Sequence, residues 1–464
     1  MFRDFRANKT RKETTVVPLS SPARIADPTL AVADATDPRL QAHLELKSKL
    51  HELLLDRLNL SMIDKVEASE LKRQIASLVS RELEQQSVPM RAEAFSELVE
   101  ELIFEVLGLG PLEPLLADPT VNDILVNTHQ SVYVERLGVL ERTDVRFRDE
   151  RHLLRIIDKI VSRVGRRIDE SRPWVDARLE DGSRVNAIIR PCSVDGPALS
   201  IRKFSRNPMT LSKLVEIGSL DAKSAAILKG LVEARLNILI SGGTGSGKTT
   251  LLNAMSAFVD GSHRIVTIED AAELQLLQEH VVRLETRPAN TEGRGAVHQR
   301  ELVRNALRMR PDRIIVGEVR GAECFDMLQA MNTGHDGSMT TVHANSPRDA
   351  LSRLEQMVTM IGADLPVRTI RSQIAAAIHV VVQVSRLSDG QRRITSISEI
   401  TGMEGEVITM QEIFSYRRTG KTPDGMIKGA FSATGIRPRF FEHFAASGVE
   451  VDAGMFSEKA PSDA

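Results

Sequence analysis

Ser241-Gly242-Gly243-Thr244-Gly245-Ser246-Gly247-Lys248-Thr249-Thr250 packs four glycines, a lysine and three threonines into ten residues. It sits between Leu236-Asn237-Ile238-Leu239-Ile240, an apolar run of strand character, and Leu251-Leu252-Asn253-Ala254-Met255, which reads as helix. Strand, glycine-rich loop and helix form the setting in which Gly-x-x-x-x-Gly-Lys-Thr has physical meaning. The glycines let the backbone curl with successive N–H groups pointing inward at an anion. The following helix N-terminus adds partial positive charge. Lys248 is placed to reach β- and γ-phosphates, and the Thr249 hydroxyl to ligate Mg²⁺. A flexible glycine turn is the alternative; the flanking strand and helix weigh against it, and the segment predicts a nucleoside triphosphate site.

Two further strands end in acids. Arg264-Ile265-Val266-Thr267-Ile268-Glu269-Asp270 delivers two carboxylates at its C-terminal end, the end at which parallel α/β sheets bind ligands. Arg313-Ile314-Ile315-Val316-Gly317-Glu318 repeats the arrangement. Phosphoryl transfer needs an acid that holds Mg²⁺, often through water, and a group that orients the attacking water. Either acid alone reads equally well as an ordinary strand-end carboxylate; two such strands behind one glycine loop favour chemistry. In Thr333-Gly334-His335-Asp336-Gly337-Ser338-Met339-Thr340-Thr341-Val342-His343-Ala344-Asn345 two histidines flank a short strand. An imidazole beside a γ-phosphate can report its presence; a histidine satisfied by local hydrogen bonds is the competing reading. No neighbouring His or Cys has the spacing of a zinc site. Arg184, Arg190 and Arg202 lie upstream; a guanidinium from another domain or subunit assists phosphoryl transfer, and surface ion pairing is the plainer reading of the same residues.

The elements that must position these groups follow from composition and periodicity. With 464 residues the chain has length for two or three domains. Its 61 basic and 63 acidic side chains leave a net charge of −2, which gives no global argument for nucleic-acid binding. Cys192 and Cys324 stand far apart, which argues against a disulfide framework and fits a reducing cytoplasm. No apolar run approaches the roughly 20 residues of a membrane helix, and Met1-Phe2-Arg3-Asp4-Phe5-Arg6 lacks the apolar core of a secretory signal.

Residues 1–36 are polar and proline-containing and read as a disordered tail. Asp37-Pro38 marks a helix start, and Leu40, Leu44, Leu50, Leu54 and Leu58 recur at helical spacing. With stretches near 68–86 and 91–106 this predicts a helical bundle over 37–106. Residues 107–205 mix strands (121–126, 131–135), an amphipathic helix (152–164) and a hairpin turning at Asp181-Gly182. A hinge is expected over 206–212, an α/β domain with a C-terminal subdomain over 213–455, and a disordered tail over 456–464.

Together these segments resemble the secretion ATPase superfamily of type II secretion, type IV pilus and type IV secretion systems, most closely its Tad/Flp pilus assembly branch. The resemblance covers about residues 95–455. Pro173-Trp174-Val175-Asp176-Ala177-Arg178-Leu179 and Asp181-Gly182-Ser183-Arg184-Val185-Asn186 resemble the family's N-terminal domain, which Leu199-Ser200-Ile201-Arg202-Lys203-Phe204 closes. Ser241–Thr250 is similar to its Walker A loop, Glu269-Asp270 with Glu273-Leu274 to its Asp box, Gly317-Glu318-Val319-Arg320-Gly321 to its Walker B, and 333–345 to its His box. The resemblance implies a RecA-like P-loop ATPase domain preceded by an α+β N-terminal domain. It implies ATP and Mg²⁺ between the two, and a homohexamer at the cytoplasmic face of the inner membrane acting on a platform protein. In those terms Glu318 orients or deprotonates water, with Glu269 as the alternative, and Asp270 helps hold Mg²⁺. Arg184 and Arg202 reach the γ-phosphate, and His335 and His343 sense it. A Cys-based zinc module of type II members is missing, as in the Tad and type IV secretion branches. A nucleotide-binding scaffold without turnover, or a nucleic-acid translocase on the same fold, stays as the alternative; low aromatic content and balanced charge offer no stacking track for the latter.

Overall fold

Leucines spaced by four fold the early chain into helices. In a computed structural model, describing residues 38–57, 68–136, 138–204, 209–289, 293–362 and 365–457, the chain divides into two compact units, Met1–Gly108 and Leu109–Ala464. The expected tail at 1–36, residues 458–464, and residues 205–208 before and within the expected hinge lie outside the described residues. The first unit holds α1 (Pro38–Arg57), α2 (Ala68–Gln85) and α3 (Ala92–Val106). Leu50 and Leu54 of α1 meet Leu71, Ile75, Val79 and Leu83 of α2 and Leu98, Val99 and Leu102 of α3. These i, i+4 stripes are what an amphipathic helix needs in order to bury one face. Lys47 pairs with Glu101 and Glu105 at 3.1 Å.

The second unit opens with α4 (Glu113–Ala117), β1 (Val121–Thr128), β2 (Ser131–Arg136), β3 (Val139–Arg142), α5 (Glu150–Arg163), β4 (Trp174–Arg178), β5 (Arg184–Ile188) and β6 (Ala198–Arg202). The strands form an antiparallel six-stranded sheet in the order β3-β2-β1-β6-β5-β4. Alternation is clear along β2, β4, β5 and β6, as in Arg184-Val185-Asn186-Ala187, where Val185 and Ala187 are buried and their neighbours exposed. The apolar face packs on Leu153, Ile156, Ile157, Ile160 and Val161 of α5. The polar face is left for the rest of the unit.

The nucleotide half follows: α6 (Leu211–Glu216), α7 (Ala222–Glu233), β7 (Ile238–Gly242), α8 (Lys248–Ser256), β8 (Ile265–Glu269), β9 (Val281–Glu285), α9 (Gln299–Ala306), β10 (Arg313–Val316), α10 (Glu323–Asn332), β11 (Met339–His343), α11 (Pro347–Thr359), α12 (Val367–Ala377), β12 (Val380–Arg386), β13 (Arg392–Glu404), β14 (Val407–Lys421), β15 (Ile427–Ala433) and α13 (Phe440–Ala446). The nine-stranded sheet runs β15-β14-β13-β12-β7-β11-β10-β8-β9. Strands β7 to β12 pair in parallel, and β13–β15 extend the sheet as an antiparallel meander. Central strands β7, β8 and β10 are buried throughout, which matches their largely apolar sequence. The fold is α/β, a RecA-like domain preceded by an α+β N-terminal domain and a small helical unit. Simple strand–helix alternation does not describe its C-terminal third, where the meander takes over.

The far end is tied in by a buried acid. Glu399 of β13, 3% exposed, accepts from the backbone N–H groups of Arg439 and Phe440 at 2.9 and 2.7 Å and so closes the start of α13. Phe456, expected in the terminal tail, is instead buried against Phe440, Phe441 and Phe414, because an aromatic cluster gives the last short turn something to pack on. Replacing Glu399 by Ala strands two buried amides and is expected to cost about 2–4 kcal/mol. A urea midpoint that drops at constant m-value, with faster amide exchange at Phe440 and Phe444, checks it.

Candidate active site

The glycine loop is shaped by contacts that admit no side chain. A Cβ on Gly242 would lie 2.4 Å from Ser246 Oγ and 2.5 Å from the Val384 carbonyl oxygen. Gly245 and Gly247 adopt φ of 66° and 100°, the left-handed region open to glycine. Lys248 opens α8, with Gly247 as N-cap and no side-chain cap, so the first-turn N–H groups have no partner within the helix. Thr249 and Thr250 follow in that turn, half-buried, as Thr244 and Gly243 form the rim. Lys248 Nζ donates to the Gly243 carbonyl at 3.1 Å, arching over the loop. Burial holds its ammonium below the ordinary pKa against the pull of Glu318, with Arg320 adding to the fall. A tight cradle, a helix N-terminus and a lysine beside it fit a polyphosphate.

Strand order brings the acids alongside. Val316 pairs with Ile268 and Thr340, and His343 pairs with Gly242, so β8, β10, β11 and β7 end at one edge. Glu269 Oε2 accepts from the N–H groups of Glu273 and Leu274 at 2.8 and 2.9 Å. Its Oε1 is buried without a hydrogen-bond partner. Burial raises this carboxyl from 4.5 to about 7 against those two backbone bonds and Arg283. Gly317 is required beside it, since a Cβ there would sit 2.9 Å from Glu269 Cγ. Glu318 Oε2 takes a fork from Arg320, Nε at 3.0 Å and Nη2 at 2.5 Å. The same guanidinium reaches Asp270 Oδ2 at 3.4 Å. An acid partly buried, an exposed acid and a buried acid of raised pKa thus stand at one sheet edge with the phosphate cradle. Among the described residues no three His, Cys, Asp or Glu side chains gather as a metal-binding group, so a divalent cation there would rest on one or two carboxylates, with water and phosphate in its other positions.

The histidines part company. His343 Nδ1 lies 3.5 Å from Thr244 Oγ1 on the glycine loop. His335 precedes β11 at the other end of the strand, where its ring and N–H both meet the Ala330 carbonyl at 3.3 Å. Within one chain that strand separates it from the loop by about 13 Å of rise, so the expected nucleotide contact of His335 is replaced by a local hydrogen bond.

The arginines come from the polar face of the N-terminal sheet. Arg178, Arg184, Arg202, Asp123 and Glu135 are successive cross-strand partners on β4, β5, β6, β1 and β2, one charged rung across the sheet. Arg202 Nε donates to Asp123 Oδ1 at 3.2 Å, and Arg184 lies 3.8 Å from Asp176. Burial lowers the Arg202 pKa, and Asp123, Glu273 and Glu135 more than restore it; Glu273 belongs to the loop that holds Glu269. Arg178 pairs with Glu285 at the end of β9 at 3.1 Å, which sets the rung against the nucleotide half. Arg190 is not part of it; it binds Glu150 and the Val194 carbonyl at the far side. Sequence reasoning also passed over Arg320, which ties Glu318 to Asp270; a cation two residues after the acid was the available signal.

Residues 105–421 match the family described as type II/IV secretion system protein. The chain belongs to that family. This secretion ATPase superfamily member is 43% identical over 309 residues to the putative conjugal transfer protein Rv3659c of Mycobacterium tuberculosis, covering 65% of this chain and 87% of the relative. It is 33% identical over 296 residues to the conjugal transfer protein TrbB of Rhizobium radiobacter, covering 62% and 86%. With the type IV secretion system protein PtlH of Bordetella pertussis it shares 36% over 312 residues, covering 61% and 91%. Among solved structures, the VirB11 ATPase of the Brucella suis type IV secretion system is similar at 31% identity and a TM-score of 0.34, covering 62% of this chain and 95% of that one. The family match takes in the charged rung, the glycine loop, both acidic strand ends and β11; α1 and α2 fall outside it.

Glu269 makes stability pH-dependent. Its folded pKa of about 7 lies above the 4.5 of an unburied carboxyl, so the native state holds the extra proton between those values. Stability therefore falls as pH rises from 4.5 to about 7 and levels off above, by about 3 kcal/mol in all. Glu269→Gln keeps an oxygen for both amides and is expected to remove this slope and gain about 1–3 kcal/mol at pH 8. Urea midpoints at pH 5, 6, 7 and 8 read it directly; an unaltered slope in the variant places the titration elsewhere.

Proposed function

We propose that this protein is an ATP hydrolase that works as a homohexameric ring, powering a conjugation, type IV secretion or pilus-assembly machine, with the Tad/Flp pilus branch as the best match to its motifs. The observation that carries this reading is the meeting of one phosphate cradle with Glu269, Asp270 and Glu318 from two neighbouring strand ends, opposite a rung that bears Arg184 and Arg202. Relatives described as conjugal transfer and type IV secretion proteins support the machine class.

In this reading Lys248 and the first-turn amides of α8 bind the β- and γ-phosphates of ATP. Thr249 and Asp270 hold Mg²⁺, which when bound offsets phosphate charge. Glu318 orients the attacking water, and Glu269, with a pKa near 7, is the second candidate base. Arg184 and Arg202 steady the charge that develops on the γ-phosphate, and His343 reads it through Thr244. Residues 107–205 and 213–455 act as the two lobes, closing about 206–212. In the present conformation Asp123 and Asp176 hold the two arginines, so closing exchanges carboxylate partners for phosphate. The ring sits at the cytoplasmic face of the inner membrane, held there by a platform protein. That fits a chain in which no helix of the described residues is long and apolar enough to cross a membrane.

ATP turnover per subunit is expected to climb with protein concentration and to vanish in Lys248→Ala. Glu318→Gln should bind ATP yet turn over roughly a hundredfold more slowly, the scale for loss of a general base. Full turnover in Glu318→Gln would move that role to Glu269. ATP binding with wild-type turnover no higher than Lys248→Ala would favour a scaffold.

A further inference from the structure

Two arginines at the mouth of the β12–β13 hairpin face the N-terminal sheet, and neither has a role in the reading above. Arg386 and Arg392 are cross-strand partners, a like-charged pair that costs stability unless something else engages it. Arg386 Nη2 donates to the carbonyl of Gly138, in the β2–β3 turn. Arg392 Nε donates to the Gly245 carbonyl of the glycine loop at 3.0 Å, and its Nη2 meets Glu135 Oε1 of β2 at 3.3 Å. Its backbone is fixed as well: the Arg392 carbonyl accepts from Ser219 Oγ at 2.8 Å. Glu135 is the cross-strand neighbour of Asp123, and Asp123 holds Arg202 at 3.2 Å. Alternating charge therefore leads from a carbonyl of the phosphate loop through Arg392 to Glu135, and Glu135 and Asp123, neighbouring carboxylates, both attract Arg202.

We infer that Arg392 is a positioning residue, acting through Glu135, which attracts Arg202 alongside Asp123, to set Arg202 according to the state of the phosphate loop. The inference rests on the nucleotide-site reading and adds a coupling route to it. The chemistry suits the task. A guanidinium is a planar fork whose donors can face two acceptors in different directions, whereas a lysine ammonium on a flexible stem is a point charge. Gly245 sits in the left-handed region, so its carbonyl direction is set by the loop's own turn. A phosphate that draws the loop amides inward reorients that carbonyl, and Arg392 carries the change to Glu135.

The test is steady-state ATP turnover with a fluorescent ATP analogue for binding, on wild type, Arg392→Ala, Arg392→Lys, Glu135→Gln, the Arg392→Ala/Glu135→Gln double variant and Lys248→Ala. Arg392→Ala and Glu135→Gln are each expected to lower kcat about five- to tenfold with KM changed less than about twofold, and the double variant to be no slower than the worse single one. Arg392→Lys should recover little of the loss. Glu135→Gln is isosteric and reads the route even where Arg392→Ala folds poorly. Wild-type kcat in Glu135→Gln, losses that multiply in the double variant, or a rise in KM with kcat intact would overturn the relay. If Lys248→Ala loses the analogue while any of these results holds, the relay alone falls. If Lys248→Ala binds it normally, the site reading falls and the relay with it.

Discussion

Parallel pairing of β8, β10, β11 and β7 is the constraint on which everything else in the nucleotide half depends. In a parallel ladder every strand points the same way, so all of the C-terminal ends open on a single edge. That edge is where Gly242, His343, Gly317 and Glu269 arrive within two residues of register. The insertion of β11 between β7 and β10 has a chemical result: an imidazole stands between the phosphate loop and the acid of β10. Two glycines keep the edge tight, Gly242 under the loop and Gly317 beside Glu269, each where a methyl group would collide.

The N-terminal sheet meets this edge with charge. Three arginines on adjacent strands repel one another at cross-strand distance, and the sheet tolerates them only because each has a carboxylate: Glu285 for Arg178, Asp176 for Arg184, Asp123 for Arg202. Exposed ion pairs of this kind contribute little to stability. In the function proposed above, their arrangement stores positive charge opposite the phosphate cradle, with partners weak enough to be exchanged. Glu269 is the reverse case, a carboxyl placed where the protein interior disfavours its charge and fixed there by two backbone amides.

Local chemistry was largely legible in the sequence. The glycine loop, the strands ending in Glu269 and Glu318, and the Asp181-Gly182 hairpin all announce themselves through short-range pattern, and each forms where its residues demand. Long-range register was not legible. Nothing in Arg202 or Asp123 alone reveals that they face each other across β6 and β1, and nothing near Arg392 points to Gly245, 147 residues earlier. His335 shows the complementary failure: proximity along the chain to His343 placed both at one site, while a five-residue strand carries them to opposite ends of the sheet. The meander escaped notice because its strands are long, half-exposed and polar at intervals, so that they lack the apolar run of a parallel strand.

That meander gives the nucleotide half a mechanical character. Because β12 pairs with β7 on one side and β13 on the other, the strand that ends in the phosphate loop and the antiparallel extension share one continuous hydrogen-bonded ladder. Strand β14, at 15 residues, measures about 50 Å end to end. A ladder resists bending in its own plane, and register shifts at Gln383/Val384, Ile397/Ser398 and Ile400/Gly402 are where this one gives way to local bends. The sheet thus joins the strand end that carries the phosphate loop to the exposed tip of β14 through successive hydrogen-bonded strand pairs.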